Sequence, residues 1–256
     1  MSKLPQATPD RKTAFMGSYL SNKRVCVTGG AGFLGRVVCR RLRELGVADL
    51  FVPRSTQYDL TEPETVRALF KQTEPDIVIH LAAEVGGIGA NRRSPGRFFF
   101  ANMAMGLNLI EEARRRGIDK FVQVGTACSY PEKCKVPFHE DRLRDGYPDK
   151  TNAPYGIAKR ALGVMLDAYR EQYEFKGIYL IPANLFGPED NFNLETSHVI
   201  PALIRKFCDA VDNDIQAVRC WGSGKVTREF LYVDDAAEDI VTATSRYDGP
   251  QAINLG

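Results

Sequence analysis

The sequence predicts an α/β protein, a doubly wound parallel sheet that carries a small second domain. Three observations support this. Short apolar runs rich in β-branched residues alternate five times with stretches of helical periodicity, the order that a parallel sheet with crossover helices requires. The first run, 25–28, leads straight into a glycine-rich turn and a helical pattern. After Gly187 the alternation lapses into a loop-rich stretch, 188–229, with one clear helix, and it resumes at Phe230.

Size and composition agree with that class. At 256 residues and 44% hydrophobic content, the chain can bury a substantial core as one large domain or two unequal ones. A formal net charge of +2 is too small to suggest a nucleic-acid partner and is compatible with an anionic small molecule. The six cysteines show neither C-x-x-C spacing nor a regular framework, which points to a reducing compartment. No metal site is expected. No apolar run nears the ~20 residues of a membrane helix. Residues 1–22 mix Lys3, Asp10, Arg11 and Lys12 without a hydrophobic stretch, so they read as a flexible leader and not as a secretory signal. The expected location is the cytoplasm.

The elements follow in order. Residues 25–28 are the first strand. In Gly29-Gly30-Ala31-Gly32-Phe33-Leu34-Gly35, Gly29 permits the sharp turn, Gly32 lets backbone approach a pyrophosphate, and Gly35 lets the helix pack closely on the strand. The free N–H groups and positive end of that helix point at the phosphates, so this stretch predicts a dinucleotide site. Val37, Val38, Leu42 and Leu45 recur at helical spacing until Gly46 stops them. The second strand, 50–53, runs into Arg54 and Ser55 with no carboxylate for a ribose 2′-hydroxyl. Arg54 suits a 2′-phosphate instead, and NADP is expected over NAD.

Residues 66–70 belong to a second helix, and 76–83 form the third strand. Ala82 and Ala83 are small enough to let a cofactor lie across its end, and His80 within it reads as a satisfied core histidine. A glycine-rich loop, 85–91, follows at the carboxyl end of that strand, where open α/β sheets bind ligands. The helix over 95–116 carries Asn102, an amide placed to anchor a polar network, and ends in Arg114, Arg115 and Arg116, which complement its negative end. The fourth strand, 121–124, leads to Thr126. A helix from Pro154 to about Tyr173, a fifth strand over 179–182 and a turn through 183–188 come next. The small domain holds one helix, 199–210; the strand 230–233 and the helix after Asp235 return to the main domain.

Tyr155 and Lys159 stand one helical turn apart and share a face. A phenol with an ordinary pKa of ~10 exchanges protons poorly at neutral pH. A neighbouring ammonium favours the phenolate and suits the tyrosine to acid–base work. Thr126, upstream at the end of a strand, can hydrogen-bond the same substrate oxygen. Together the three predict acid–base work at a substrate oxygen.

The glycine spacing, G-x-x-G-x-x-G, resembles the extended branch of the short-chain dehydrogenase/reductase superfamily, with its Rossmann sheet, and Asp59-Leu60 resembles its adenine-contacting pair. Further residues narrow the likeness. Val85-Gly86-Gly87-Ile88, Cys128 with Tyr130-Pro131, Asn152-x-Pro154-Tyr155-x-Ile157-Ala158-Lys159, Asn184-Leu185-x-Gly187-Pro188-x-Asp190-Asn191-Phe192, Ser197-His198-Val199-Ile200-Pro201-Ala202-Leu203 and Trp221-Gly222-Ser223-Gly224 with Arg228-Glu229-Phe230-Leu231 look like the GDP-L-fucose synthase family. They run in family order from about Arg24 to Gly256. That family converts GDP-4-keto-6-deoxy-D-mannose by C3/C5 epimerisation and C4 reduction with NADPH.

The resemblance implies a NADP-binding Rossmann domain over 23–187, a substrate-binding segment over 188–229 and a return to the Rossmann domain over 230–256. It also implies a further C-terminal substrate segment, absent from this sequence, and a homodimer. Tyr155 and Lys159 would be the reductase pair, with Thr126 where the family usually has serine. Cys128 would remove protons at C3 and C5, and His198 would return them on the opposite face. NADP would be held by Gly29, Gly32, Phe33, Leu34 and Gly35, by Arg54, Asp59 and Leu60, by Leu81, Ala82 and Ala83, and by Lys159, Pro182, Asn184, Leu185 and His198. The GDP-sugar would meet Asn184, Lys206, Trp221 and Arg228. The glycine turn itself reads closer to NAD-dependent sugar-nucleotide 4-epimerases and dehydratases, though Ala127 and Cys128 stand where a dehydratase would place acids. A non-catalytic NADP-binding regulatory protein is the third expectation.

Overall fold

The structure, a computed structural model, describes residues 16, 19–220 and 222–256. Among the described residues eight strands form: β1 (Arg24–Thr28), β2 (Asp49–Phe51), β3 (Ile77–His80), β4 (Lys120–Val124), β5 (Gly177–Pro182), β6 (Asn184–Phe186), β7 (Phe230–Tyr232) and β8 (Ile253–Leu255). Seven α-helices are described: α1 (Phe33–Glu44), α2 (Pro63–Thr73), α3 (Ile88–Arg93), α4 (Pro95–Arg116), α5 (Ala153–Tyr173), α6 (Val199–Asp212) and α7 (Val233–Arg246).

Six strands make one sheet in the order β2-β1-β3-β4-β5-β8, every pair parallel. The order reverses between β1 and β3, so a crevice opens beyond their carboxyl ends. Alternation along the strands supplies two cores. Val25, Val27, Ile79, Val122 and Leu180 face α1 and α7, where they meet Val38, Leu42, Ile240 and Val241. Cys26, Val78, Phe121 and Tyr179 face α2, α4 and α5, against Phe70, Leu109, Ile110 and Leu162. Each fully buried aliphatic or phenyl side chain of this kind contributes about 1.5–3 kcal/mol, and helices on both faces leave the sheet no wet side.

The structure departs from the sequence reading in five places. Of 1–22, only residues 16 and 19–22 are described, and Met16 and Leu20 are fully buried in the core beneath α7. Four residues apart, they present one apolar side inward, so these two residues of the expected leader belong to the core, while Asn22 is exposed; the rest lies outside the described residues. β3 ends at His80, leaving Leu81, Ala82 and Ala83 as loop. Part of the expected glycine-rich loop, 88–93, is the short helix α3. Ala183 N–H donates to Leu255 O at 2.8 Å, and the chain then leaves the main sheet. β6 instead pairs with β7 in a separate two-stranded parallel sheet. β8, unanticipated, becomes the sixth strand beside β5. Among the described residues no helix is long and apolar enough to cross a membrane.

Candidate active site

The glycine turn closes on the end of β3. Gly29 has φ +72°, and a Cβ there would lie 2.6 Å from Ala82 N. At Gly35 a Cβ would lie 2.1 Å from Gly29 O. Only glycine satisfies both positions, and the turn therefore brings bare backbone to the crevice beside Leu81, Ala82 and Ala83. α1 begins here with Gly32 as its N-cap, without a capping side chain and without an acid in its first turn. The N–H groups around Phe33 and Leu34 and the positive helix end are thus open to an anion. Arg54 is exposed just after β2, with no carboxylate in the Val52-Pro53-Arg54 stretch. Asp59 Oδ1 is taken by the Thr61 hydroxyl at 2.7 Å and its N–H at 2.9 Å, which hold the carboxyl below its ordinary range. Leu60 beside it is buried. This glycine cradle, open helix end and the Arg54 cation fit a dinucleotide with a 2′-phosphate.

At the end of β4, Thr126 caps a single 3-10 turn, Ala127–Ser129, accepting Cys128 N–H at 3.2 Å. Its hydroxyl is close enough to the Tyr155 phenol and the Cys128 thiol to lower the pKa of each. α5 presses directly on this turn: Ser129 Oγ donates to Gly156 O at 2.9 Å. Thr126, Cys128 and Tyr155 therefore lie near one another. Lys159, 2% exposed, donates from Nζ to Val124 O at 3.2 Å.

The electrostatics differ from the expectation that Lys159 lowers the Tyr155 pKa. Burial pushes the phenol far above its ordinary value, Cys128 and Tyr179 adding to the rise and Thr126 opposing it. Burial also brings Lys159 down to about 8. The reason is that desolvation disfavours both charged forms and outweighs their mutual attraction. Tyr155 is accordingly held as a neutral phenol, the form that can give a proton away. The Cys128 thiol is raised as well, by burial first; Thr126 lowers it, Asp149 raises it, and Arg228 lowers it.

The remaining residues come from the end of β5 and the stretch that follows it. Asn184, exposed on β6, donates to Glu229 O at 2.9 Å, tying β6 to the loop that bears Arg228. Pro182 is buried at the end of β5, and Leu185 is half-buried on β6. His198 is the exposed N-cap residue of α6, and the charge it acts on is Asp190. Among the described residues no hydrogen bond joins it to Cys128 or Tyr155. Its loop does rest on the loop after β3, through Gly87 N–H to Thr196 O at 3.2 Å. Lys206 donates from α6 to Arg219 O at 3.3 Å. Trp221 lies outside the described residues.

Asn102 acts as anticipated: its Oδ1 accepts Glu84 N–H and its Nδ2 donates to Glu84 O at 2.8 Å, fixing the chain just beyond Ala83. Two positioning features escaped the sequence reading. One is the Ser129–Gly156 clamp, signalled only by a glycine in the first turn of a helix. The other is the Asn91 Nδ2 to Asn152 Oδ1 bond of 2.8 Å, which ties α3 to the start of α5 and has no local signal.

Comparison with known proteins accords with this site. The model of the NAD dependent epimerase/dehydratase family matches residues 25–256. GDP-L-fucose synthase 1 of Arabidopsis thaliana is 39% identical over 241 residues, 93% of this chain and 75% of that protein. The solved GDP-L-fucose synthetase of Naegleria fowleri, bound to NADP, is similar with a TM-score of 0.83 at 32% identity, covering 92% of this chain and 77% of that one. MlghC, a GDP-mannoheptose C4 reductase of Campylobacter jejuni with NADP bound, is similar with a TM-score of 0.84 at 27% identity, covering 92% and 80%. The chain belongs to the NAD dependent epimerase/dehydratase family, in the branch of the GDP-L-fucose synthases.

Proposed function

We propose that this chain is a NADPH-dependent epimerase-reductase of GDP-4-keto-6-deoxy sugars, acting by C3/C5 epimerisation and C4 reduction. The observation that carries this is the nearness of Thr126, Cys128 and Tyr155 to one another just beyond the end of β4, with Arg228 close enough to act on the thiol. The C4 carbonyl acidifies the C–H bonds at C3 and C5. Cys128 takes those protons, and His198, carried over Gly87 by its loop, returns protons on the opposite face of the ring. Bound NADPH supplies the hydride that C4 accepts. Tyr155, kept neutral by burial, gives its proton to the C4 oxygen while Thr126 hydrogen-bonds that oxygen. Lys159 supports the phenol from one turn along α5. Asn184, Lys206, Trp221 and Arg228 hold the GDP-sugar, the two cations serving the diphosphate. Arg54 takes the 2′-phosphate of the cofactor.

The reading extends to a cytoplasmic homodimer without nucleic-acid or membrane partners. Six free cysteines support a reducing compartment. Exposed Phe100 and Leu107 on α4, with Val164 on α5, support a second copy against that pair of helices. A second reading, a plain C4 ketoreductase, is favoured by the raised Cys128 thiol and the exposure of His198. Solvent deuterium separates them. In D2O, Cys128→Ser should stop label entering C3 and C5 of the keto sugar while reduction of an already epimerised ketone continues. Undiminished labelling in that variant, read by NMR, removes Cys128 from the epimerisation, and no enzyme-dependent labelling with the unaltered protein removes the epimerase half.

A further inference from the structure

Beneath α5 a row of polar side chains crosses the sheet. Register pairs Thr28 with His80, His80 with Gln123, and Gln123 with Tyr179, all on the face that α4 and α5 cover. Thr28, His80 and Gln123 are 0% exposed. Their surroundings on that face are apolar, with Cys26, Val78 and Phe121 one pleat away. A buried polar row is costly unless bonded, and here the bonding is partial. Thr28 Oγ1 lies 2.7 Å from His80 Nδ1. Gln123 Nε2 donates to Val124 O at 2.9 Å, the same carbonyl that takes Lys159 Nζ at 3.2 Å. His80 Nε2 and Gln123 Oε1 have no partner. The lysine therefore ends against a row that has two acceptors to spare.

Burial first, and the Lys159 charge second, hold His80 well below its ordinary pKa, so its ring is neutral. A neutral imidazole has one N–H and one lone pair. A positive amine beside it favours the tautomer with the lone pair on Nε2 and the proton on Nδ1, donated to Thr28 Oγ1.

We propose that His80 is a positioning residue for Lys159: held through Nδ1 by Thr28, its neutral ring offers the Nε2 lone pair to the lysine amine and keeps that amine over the end of β4. Gln123 Oε1 is the second acceptor. The proposal rests on the role given above to Lys159 beside Tyr155, but its primary test does not. Of the titratable groups that the packed elements place near this row, Tyr155 from α5, Cys128 from the turn after β4, Tyr179 from β5 and Cys26 from β1 are all raised by burial. None of them supplies a negative charge to Lys159 at neutral pH, which leaves uncharged acceptors as the means of steadying its ammonium.

The experiment is a pH titration of Lys159 by NMR in cofactor-free protein carrying 13C at lysine Cε. The midpoint should lie near 8 in the unaltered protein. It should fall about one pH unit in His80→Leu, where an acceptor is lost, and return in His80→Gln. The pH dependence of kcat should move by the same amount with the substrate KM unchanged, which a general loosening of the fold would not produce. An unmoved Lys159 midpoint in folded His80→Leu overturns the proposal. Should that variant not fold, 15N spectra of the unaltered protein decide, since it has three histidines. A neutral His80 with its proton on Nδ1 supports the proposal, and a proton on Nε2 overturns it. Failure of the reductase role itself would show as absent turnover with the NMR result intact.

Discussion

Replacing Gly156 with alanine tests how far the reductase geometry depends on the contact between α5 and the turn after β4. A Cβ at Gly156 would lie 2.4 Å from Cys128 O and 3.0 Å from Cys128 C, both backbone atoms that no rotamer change can move. Ordinary contact begins at 3.4 Å. α5 must therefore retreat by about 1 Å, taking Tyr155 with it while Thr126 and Cys128 stay with β4. A misplacement of ~1 Å costs on the order of a hundredfold in rate, about 2.7 kcal/mol of transition-state stabilisation. Overpacking of this kind also costs about 1–3 kcal/mol of stability. Helix propensity taken alone would push the other way, by about 1 kcal/mol in favour of alanine. The assay is kcat/KM for NADPH oxidation with a GDP-4-keto sugar, with Tm and NADPH affinity measured on the same protein. The rate should fall about a hundredfold and Tm should drop. NADPH affinity should hold within about threefold, under 1 kcal/mol, because the glycine turn sits on other elements. A variant with raised Tm and unchanged kcat/KM would refute the reasoning.

Arg54→Ala should weaken NADPH about tenfold or more by removing one charge-assisted pair, with NADH unchanged; equal losses for both cofactors would sink that assignment. Tyr155→Phe should abolish reduction and leave NADPH affinity intact, since only the phenol O–H is lost; turnover persisting with hydride transfer rate-limiting would contradict it. Lys159→Met should stabilise the protein at pH 7. The folded pKa of about 8 lies below the ordinary lysine value of 10.5, so the buried ammonium costs stability below pH 8, and that cost disappears as pH rises towards 10.5. The gain should reach up to about 3 kcal/mol at neutral pH and shrink above pH 8, with Val124 O still bonded by Gln123 Nε2. A thermal-melt series across pH that shows no gain, or a gain independent of pH, counts against the burial argument.

Much of the framework was legible because its causes lie within one helical turn or one strand. Gly29, Gly32 and Gly35 follow an apolar run and open a helix, and the structure finds β1, the turn and α1 there. The helix expected over 95–116 is α4, bounded by Pro95 at its start and a left-handed Gly117 after its end. Tyr155 and Lys159 share a face of α5 because four residues make about one turn. Asn102 could be expected near the site because the helix period places it.

What the sequence by itself determined was thus the alternation, the glycine turn and the residue types available for chemistry. Only the tertiary structure decided which distant pieces meet, because strand pairing joins residues with no local trace of each other: β8 beside β5, β6 with β7, and Met16 and Leu20 under α7. It also decided the protonation of the site. A pKa depends on how much water the fold removes and which charges it leaves near, so Tyr155 rises where the sequence suggested a lowered phenol, and Cys128 rises with it. His80 shows the division most plainly. Its apolar neighbours announce burial, but the unpartnered Nε2 beside Lys159 exists only because β1, β3, β4 and α5 converge there.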